Sequence, residues 1–226
     1  MWRGAVRGQE LTVLIMAGGR SRRMGQDKIW LPLGAGGVSL IEWVVARVRP
    51  LAEEFLFSAN ASEPFGALVS SLRDQGVPAQ VVPDRYPGAG PLAGLHAGLS
   101  AARCDLLLAV AGDMPFLSPA LLAHLVELTP GFDIVMPKLS HPDTGELVEE
   151  PLHALYRRSC LGAVAARLAA GERQMVSFLS DVRVRTVAPD EIRDFDPDFR
   201  SFFNENTPEY WRAAEQMLAG ELSGEN

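Results

Sequence analysis

Short runs of apolar residues alternate along this chain with segments whose apolar positions recur at helical spacing. That alternation predicts a mostly parallel sheet wrapped by helices. Strands are expected at Leu11–Ala17, Glu54–Ala59, Gln80–Pro83, Asp105–Ala111 and Asp133–Met136, and helices at Ser39–Pro50, Glu63–Gln75, Leu92–Ala102 and Ser118–Thr129. Several boundaries have mechanical causes: Ser39 and Glu42 form a capping box, Gly76 ends the second helix, and Ser118 followed by Pro119 caps and starts the fourth. The run Leu106 to Ala111 is apolar without a break, the pattern of a central parallel strand covered on both faces, and it belongs mid-sheet.

Beyond Pro137 the pattern loosens. The polar stretch Ser140 to Glu150 contains Pro142 and Gly145 and reads as a mobile long loop or an exposed hairpin. A strand at Leu152–Tyr156, a helix at Ser159–Ala170, a short helix at Arg173–Leu179, a strand at Val182–Val187 and a last helix capped by Thr207-Pro208-Glu209 follow. No repeat, low-complexity tract or linker interrupts the chain, so a single domain over residues 1–226 is the economical reading.

Composition narrows the class. With 226 residues, 47% apolar and 22% charged, the chain is long enough for one substantial α/β domain and lies outside the disordered and fibrous ranges. A net charge of −7 argues against a general polyanion or nucleic-acid binder, so any anion site must be local. The two cysteines, Cys104 and Cys160, are far apart with no CxxC, which points to a reducing compartment and no zinc site. No apolar run reaches the length of a membrane span or signal core, so a cytoplasmic location away from membranes is expected.

Four clusters carry candidate chemistry. After the first strand comes Met16-Ala17-Gly18-Gly19-Arg20-Ser21-Arg22-Arg23-Met24-Gly25-Gln26-Asp27-Lys28, where an α/β sheet binds ligands beyond its carboxyl edge. Gly18 and Gly19 let backbone N–H groups approach phosphate oxygens, and Arg20, Arg22, Arg23 and Lys28 place four cations within nine residues. Neither a P-loop nor a dinucleotide fingerprint fits: Lys28 is displaced from Gly25 and lacks a following hydroxyl, and Gly19 leads to Arg20 rather than to a third glycine. Between the third strand and its helix, Asp84 to Leu95 holds Gly88, Gly90 and Gly94, whose free backbone groups suit the edge of a base, with Pro91 at the helix start; a tight turn is the simpler use. Asp113, in Gly112-Asp113-Met114-Pro115, stands at the end of the apolar central strand, where one carboxylate suffices for Mg²⁺ shared with phosphates. Asn204 and Asn206 at period-two spacing either present amides to a polar substrate or form a structural turn. The four histidines lack ligand spacing and no serine is framed as G-x-S-x-G, which removes zinc and serine-hydrolase chemistry.

These clusters, in this order, resemble the molybdenum cofactor guanylyltransferase family within the Rossmann-like nucleotidyltransferases, over nearly the whole chain. The family pattern Leu-Ala-Gly-Gly-x-Ser-x-Arg-Met-Gly-x-Asp-Lys is matched from Met16 to Lys28, a signal shared with several nucleotidyltransferases. Gly90-Pro91-Leu92-Ala93-Gly94, Ala170-Gly171-Glu172-Arg173 and Asn204-x-Asn206-Thr207-Pro208-Glu209 are more particular to the molybdenum enzyme. The resemblance implies an α/β Rossmann-like fold with helices on both faces and a small antiparallel extension in the C-terminal half. It implies a nucleotide-binding half at 11–136 and an acceptor half at 137–220. Met16, Ala17, Gly18, Gly19, Lys28, Asp84, Asp113 and the Gly90, Pro91, Leu92 and Gly94 loop would bind GTP, with Asp113 also holding Mg²⁺. Arg23, Asn204 and Asn206 would lie toward the pterin. Met16 replaces the usual leucine, and Ser58 stands where some members have an asparagine, which leaves its contact with the nucleotide open.

The implied reaction passes GMP from GTP to Mo-molybdopterin with release of pyrophosphate, Asp113, Lys28 and Arg23 serving the transfer by position and charge. Molybdenum insertion proteins and apo-molybdoenzymes or their chaperones are the further partners so implied. A cytidylyltransferase for the same pterin, a sugar-phosphate nucleotidyltransferase, or a non-catalytic nucleotide-binding regulator are the alternatives.

Overall fold

The structure, a computed structural model, describes residues 10–17, 28–33, 37–86, 88–141, 143–203, 211–212 and 215–216. The strands are β1 (Leu11–Met16), β2 (Pro32–Leu33), β3 (Val38–Ser39), β4 (Glu54–Ser58), β5 (Ala79–Val82), β6 (Leu106–Ala111), β7 (Ile134–Ser140), β8 (Leu147–Glu149), β9 (His153–Arg157) and β10 (Val184–Val187). The helices are α1 (Leu40–Val48), α2 (Gly66–Asp74), α3 (Pro91–Ala101), α4 (Pro119–Glu127), α5 (Leu161–Ala169) and α6 (Pro189–Arg193).

The main sheet runs in the order β10-β7-β9-β6-β1-β4-β5, with β8 paired to β7. Strands β4, β1 and β6 are mutually parallel, as are β4 with β5 and β7 with β10. Strand β9 runs antiparallel between β6 and β7, and β8 pairs antiparallel with the end of β7, so the antiparallel extension lies in the C-terminal half as expected. The β2–β3 ladder forms a separate two-stranded antiparallel sheet. Strand β6 is central and fully buried, parallel to β1 on one side but antiparallel to β9 on the other.

Alternate residues of each strand supply two cores. Leu11, Val13, Ile15, Phe55, Phe57, Leu108 and Val110 face α1, α2, α4 and α6, while Leu14, Leu56, Leu107 and Ala109 face α3 and α5. Helices therefore cover both faces. The boundary residues act as their chemistry dictates: Ser39 and Glu42 complete a capping box on α1, and the Ser118 hydroxyl accepts from the Leu121 amide at the start of α4. Gly76, at φ 78°, closes α2 with its N–H donating to Arg73 and the Val77 N–H donating to Leu72, the paired pattern of a Schellman end.

Of the two readings of the stretch after Ser140, loop or exposed hairpin, the hairpin forms: β7 extends to Ser140 and turns back into β8, closed by the His141 N–H to the Glu146 carbonyl at 2.7 Å. One expectation changes. The short helix expected at Arg173–Leu179 does not form. Gly171, at φ 82°, ends α5, and the chain then turns so that Met175 and Phe178 are buried before a 3-10 turn at Leu179–Asp181. Arg167 of α5 holds that turn by pairing with Glu172 and Asp181. Core burial and this double ion pair prevail over local helical spacing. The start of the last helix at Thr207 lies outside the described residues.

Candidate active site

The carboxyl ends of β1, β4, β5 and β6 form one edge, and the candidate residues within the described chain gather there. Met16 closes β1, its carbonyl accepting from the Gly112 N–H at 3.1 Å, while the Ala17 N–H donates to the Ser58 carbonyl at 3.1 Å. The loops leaving β1 and β6 are thus tied together at the crevice. Beyond β6, Met114, Phe116 and Leu117 are buried as anchors. Helix α1 clamps the same loop, Trp43 Nε1 donating to the Pro115 carbonyl at 2.9 Å and Arg47 Nε to that of Leu117 at 3.0 Å. Asp113 stands on this fixed turn.

Lys28 begins a 3-10 turn, and the side chain of its neighbour Ile29 is buried in the core. Its Nζ lies 3.9 Å from Asp113 Oδ2. Burial lifts the Asp113 carboxyl above its ordinary range, and the Lys28 ammonium partly offsets this. A half-buried carboxylate whose charge is incompletely compensated, beside a cation at the carboxyl edge of a parallel sheet, fits a divalent cation shared with phosphate oxygens. Among the described residues there is no cluster of three or more metal-ligating side chains, so the remaining ligands of such a cation would be phosphate and water.

A second carboxylate lies on the far side of β1. Asp84 follows β5, and the order β6-β1-β4-β5 separates the two strand ends by roughly 14 Å at ordinary strand spacing. The Asp84 N–H donates to Asn60 Oδ1 at 3.2 Å, and its Oδ1 accepts from the Ser58 hydroxyl at 3.4 Å. Burial raises the Asp84 carboxyl, and its links to Asn60 and Ser58 lower it in part. Ser58, left open in the sequence, is therefore a residue that orients Asp84. Asn60 was missed, and its place just past the end of β4 is the signal that marks it.

Helix α3 starts beside them. Gly90 is its N-cap at φ 70°, a conformation that favours glycine, and Pro91 follows at the first turn. Leu92 sends its side chain wholly into the α3 core, leaving only its backbone to face a ligand. Gly94 has a packing reason: a Cβ there would lie 2.4 Å from Met16 Cε and 2.5 Å from Ser58 Oγ.

Of the residues the sequence singles out, the structure brings together Met16, Ala17, Lys28, Asp84, Gly90 to Gly94 and Asp113. Gly18, Gly19, Arg20, Ser21, Arg22, Arg23, Asn204 and Asn206 lie outside the described residues. The last described residues before Asn204 dock firmly: the Ser201 hydroxyl accepts from the Ser118 N–H at 2.8 Å, and the Phe202 ring packs tilted against His153 at 4.5 Å between ring centroids.

The lysine–aspartate pair lies at the carboxyl edge of the sheet, where α/β proteins bind ligands, and comparison with known families narrows the reading. The model of the MobA-like NTP transferase domain matches residues 13–185. The chain belongs to this family. It is a nucleotidyltransferase. The chain is 38% identical over 206 residues to the probable molybdenum cofactor guanylyltransferase of Chloroflexus aggregans, across 91% of this chain and 93% of that protein. It is 34% identical over 215 residues to the probable molybdenum cofactor guanylyltransferase of Pelotomaculum thermopropionicum, across 95% and 97% of the two chains. Among solved structures, the molybdopterin-guanine dinucleotide biosynthesis protein A of Archaeoglobus fulgidus superposes with a TM-score of 0.72 at 30% identity, covering 92% of this chain and 98% of that one. The matched family segment contains the Lys28–Asp113 pair, Asp84 and α3.

Proposed function

We propose that this nucleotidyltransferase transfers GMP from GTP to Mo-molybdopterin, forming the guanine dinucleotide and releasing pyrophosphate. The observation that carries the reading is the Lys28–Asp113 pair at 3.9 Å on the carboxyl edge of β1 and β6, in a chain similar to named guanylyltransferases. A terminal phosphate oxygen of the acceptor attacks the α-phosphorus of GTP in line. The bond from that phosphorus to the α,β-bridging oxygen breaks, and the electron pair leaves with pyrophosphate. No general base is required, because the acceptor phosphate is largely ionised at neutral pH.

The chain's work is positioning and charge. Residues 11–136 form the nucleotide half and 137–220 the acceptor half. Met16 to Gly19 and the α3 start at Gly90 seat the nucleotide, and Asp84, oriented by Ser58 and Asn60, supplies a carboxylate on the β5 side. Lys28 and Arg23 neutralise charge on the transferring and leaving phosphates, and Asn204 and Asn206 contact the acceptor. Asp113 would hold Mg²⁺, which when bound supplies Lewis-acid stabilisation of the phosphates. The product then passes to apo-molybdoenzymes or their chaperones in the cytoplasm.

The test is pyrophosphate release on incubation with Mo-molybdopterin, Mg²⁺ and each of GTP, CTP and ATP. Release with GTP is expected; release with CTP alone overturns the guanylyl assignment.

A further inference from the structure

A cavity of about 150 Å³ opens in the acceptor half, lined by Met136, Lys138, Glu149, Leu179, Val184 and Thr186. It lies on the sheet face shared with α3 and α5, because Met136, Leu179 and Val184 all pack in that core. Its polar wall is an ion pair. Lys138 Nζ is 2.9 Å from Glu149 Oε1, and the two residues sit opposite one another in the β7–β8 ladder, so the sheet itself fixes the pair.

The sheet register relates this cavity to the reacting edge. His153 of β9 lies opposite Val110 of β6, and Tyr156 and Leu155 lie opposite Ile134 and Val135 of β7. Strands β6 and β7 both run antiparallel to β9, so their carboxyl ends share one edge; there Lys138 follows Val135 by three residues and pairs with Glu149, and Asp113 follows Ala111 by two. Two strand spacings, about 10 Å, separate β7 from β6. That span is comparable to a fused pterin tricycle carrying a one-carbon phosphate arm.

We propose that this cavity seats the pterin ring of the acceptor, an assignment that rests on the acceptor named above. A pterin's 2-amino-4-oxo edge presents two neighbouring N–H donors beside a carbonyl acceptor. Glu149 accepts from the two donors and Lys138 donates to the carbonyl, giving charge-assisted hydrogen bonds on both sides. Met136, Leu179 and Val184 meet the flat faces of the ring. A volume near 150 Å³ admits one benzene-sized ring. The pyrimidine half of the pterin therefore enters, the remaining rings occupy the mouth, and the phosphate arm runs across β9 toward Asp113. Guanine has a similar edge, but the α3 start at Gly90 stands on the other side of β6, beside β1 and β4.

The experiment uses the full chain, the fluorescent probe 6-hydroxymethylpterin monophosphate, GTP, and three variants: Glu149→Gln, Lys138→Met, and the double exchange Lys138→Glu with Glu149→Lys. Each single variant is expected to weaken binding of the pterin phosphate about tenfold or more, with GTP affinity unchanged. In turnover the KM for molybdopterin should rise while kcat and the KM for GTP hold. The double exchange should restore the ion pair and the Tm but not the pterin affinity. Unchanged pterin affinity in the single variants overturns the site, as does affinity regained together with Tm in the double exchange. Loss of GTP affinity instead gives the cavity to guanine and equally overturns it. A wild-type chain that binds the pterin phosphate through Glu149 yet never consumes molybdopterin defeats the proposed reaction and leaves the site standing. Normal turnover indifferent to all three variants defeats the site alone.

Discussion

Gly94 of α3 sits so close to Met16 that a single added Cβ would come within 2.4 Å of the Met16 Cε. The same Cβ would lie 2.5 Å from Ser58 Oγ, the hydroxyl that donates to Asp84. The methionine terminus can swing aside, but the short serine side chain cannot yield without losing that hydrogen bond. Gly94→Ala should therefore raise the KM for the nucleoside triphosphate about tenfold, one lost charge-assisted contact. Overpacking of about 1–3 kcal/mol is partly offset by the gain of about 1 kcal/mol in helix propensity, so the net loss of stability should be small. Steady-state kinetics with thermal melts checks both; an unchanged KM means that Ser58 does not orient Asp84.

Asp113 separates activity from stability. Burial already raises its carboxyl, so above the ordinary carboxylate range its ionised form opposes folding, and removing that charge costs the fold little. Asp113→Asn should leave Tm unchanged or slightly raised at pH 7. Turnover should fall about a thousandfold or more, the scale of losing a principal electrostatic contact to the transition state. Pyrophosphate release and calorimetry on the same preparation decide it, and a folded, fully active variant removes Asp113 from the reaction.

The architecture was legible where local chemistry and tertiary packing agree. The unbroken apolar run before Asp113 marked the central strand, and Ser39 with Glu42, Gly76 and Ser118 marked helix ends through hydrogen bonds their own neighbourhoods complete. The antiparallel insertion of β9 beside β6 was not visible, because an apolar strand carries no sign of its partner's direction. Arg173–Leu179 failed because the burial of Met175 and Phe178 and the grip of Arg167 on Asp181 are long-range causes. At the site, Asp113 could be named from its place after the central strand and Lys28 as a cation of the loop after β1, while Asp84 was marked only by the family resemblance. The role of Ser58 and Asn60 in holding Asp84 arises only when β4 and β5 lie side by side, and no spacing along the chain encodes that.

Glu150, in the turn between β8 and β9, gives a pH dependence of one sign. Burial pushes its carboxyl up to about 7, well above its ordinary value. Its folded-state pKa exceeds its unfolded one, so its neutral form favours the folded chain. That contribution is complete below the ordinary glutamate range and is lost as pH rises through about 7. Glu150→Gln should leave Tm unchanged near pH 4 and raise it at pH 8 by about 2–4 °C, the shift produced by about 1 kcal/mol in a chain of this size. Melts across pH 4 to 8 test this, and parallel curves for the two proteins would refute the assigned ionisation.

His153 should govern the acid limb. It is fully buried, the Phe202 ring lies tilted against it, and among the described residues neither ring nitrogen has a hydrogen-bond partner. Burial pushes its pKa down to about 3, below its value in the unfolded chain. Between about 3 and the ordinary histidine range the unfolded chain binds the extra proton, so stability rises with pH through that window and falls as the solution is acidified. His153→Leu removes both the titration and two unsatisfied polar atoms while keeping an apolar filler under Phe202. It should stabilise the protein by about 1–3 kcal/mol at pH 5, the usual penalty of an unpaired buried polar group, and flatten the loss of stability toward acid. Urea unfolding at pH 5 and pH 7.5 measures both effects. A variant less stable than the wild type at pH 5 would mean that the imidazole has a polar role in the folded chain beyond filling space beneath Phe202.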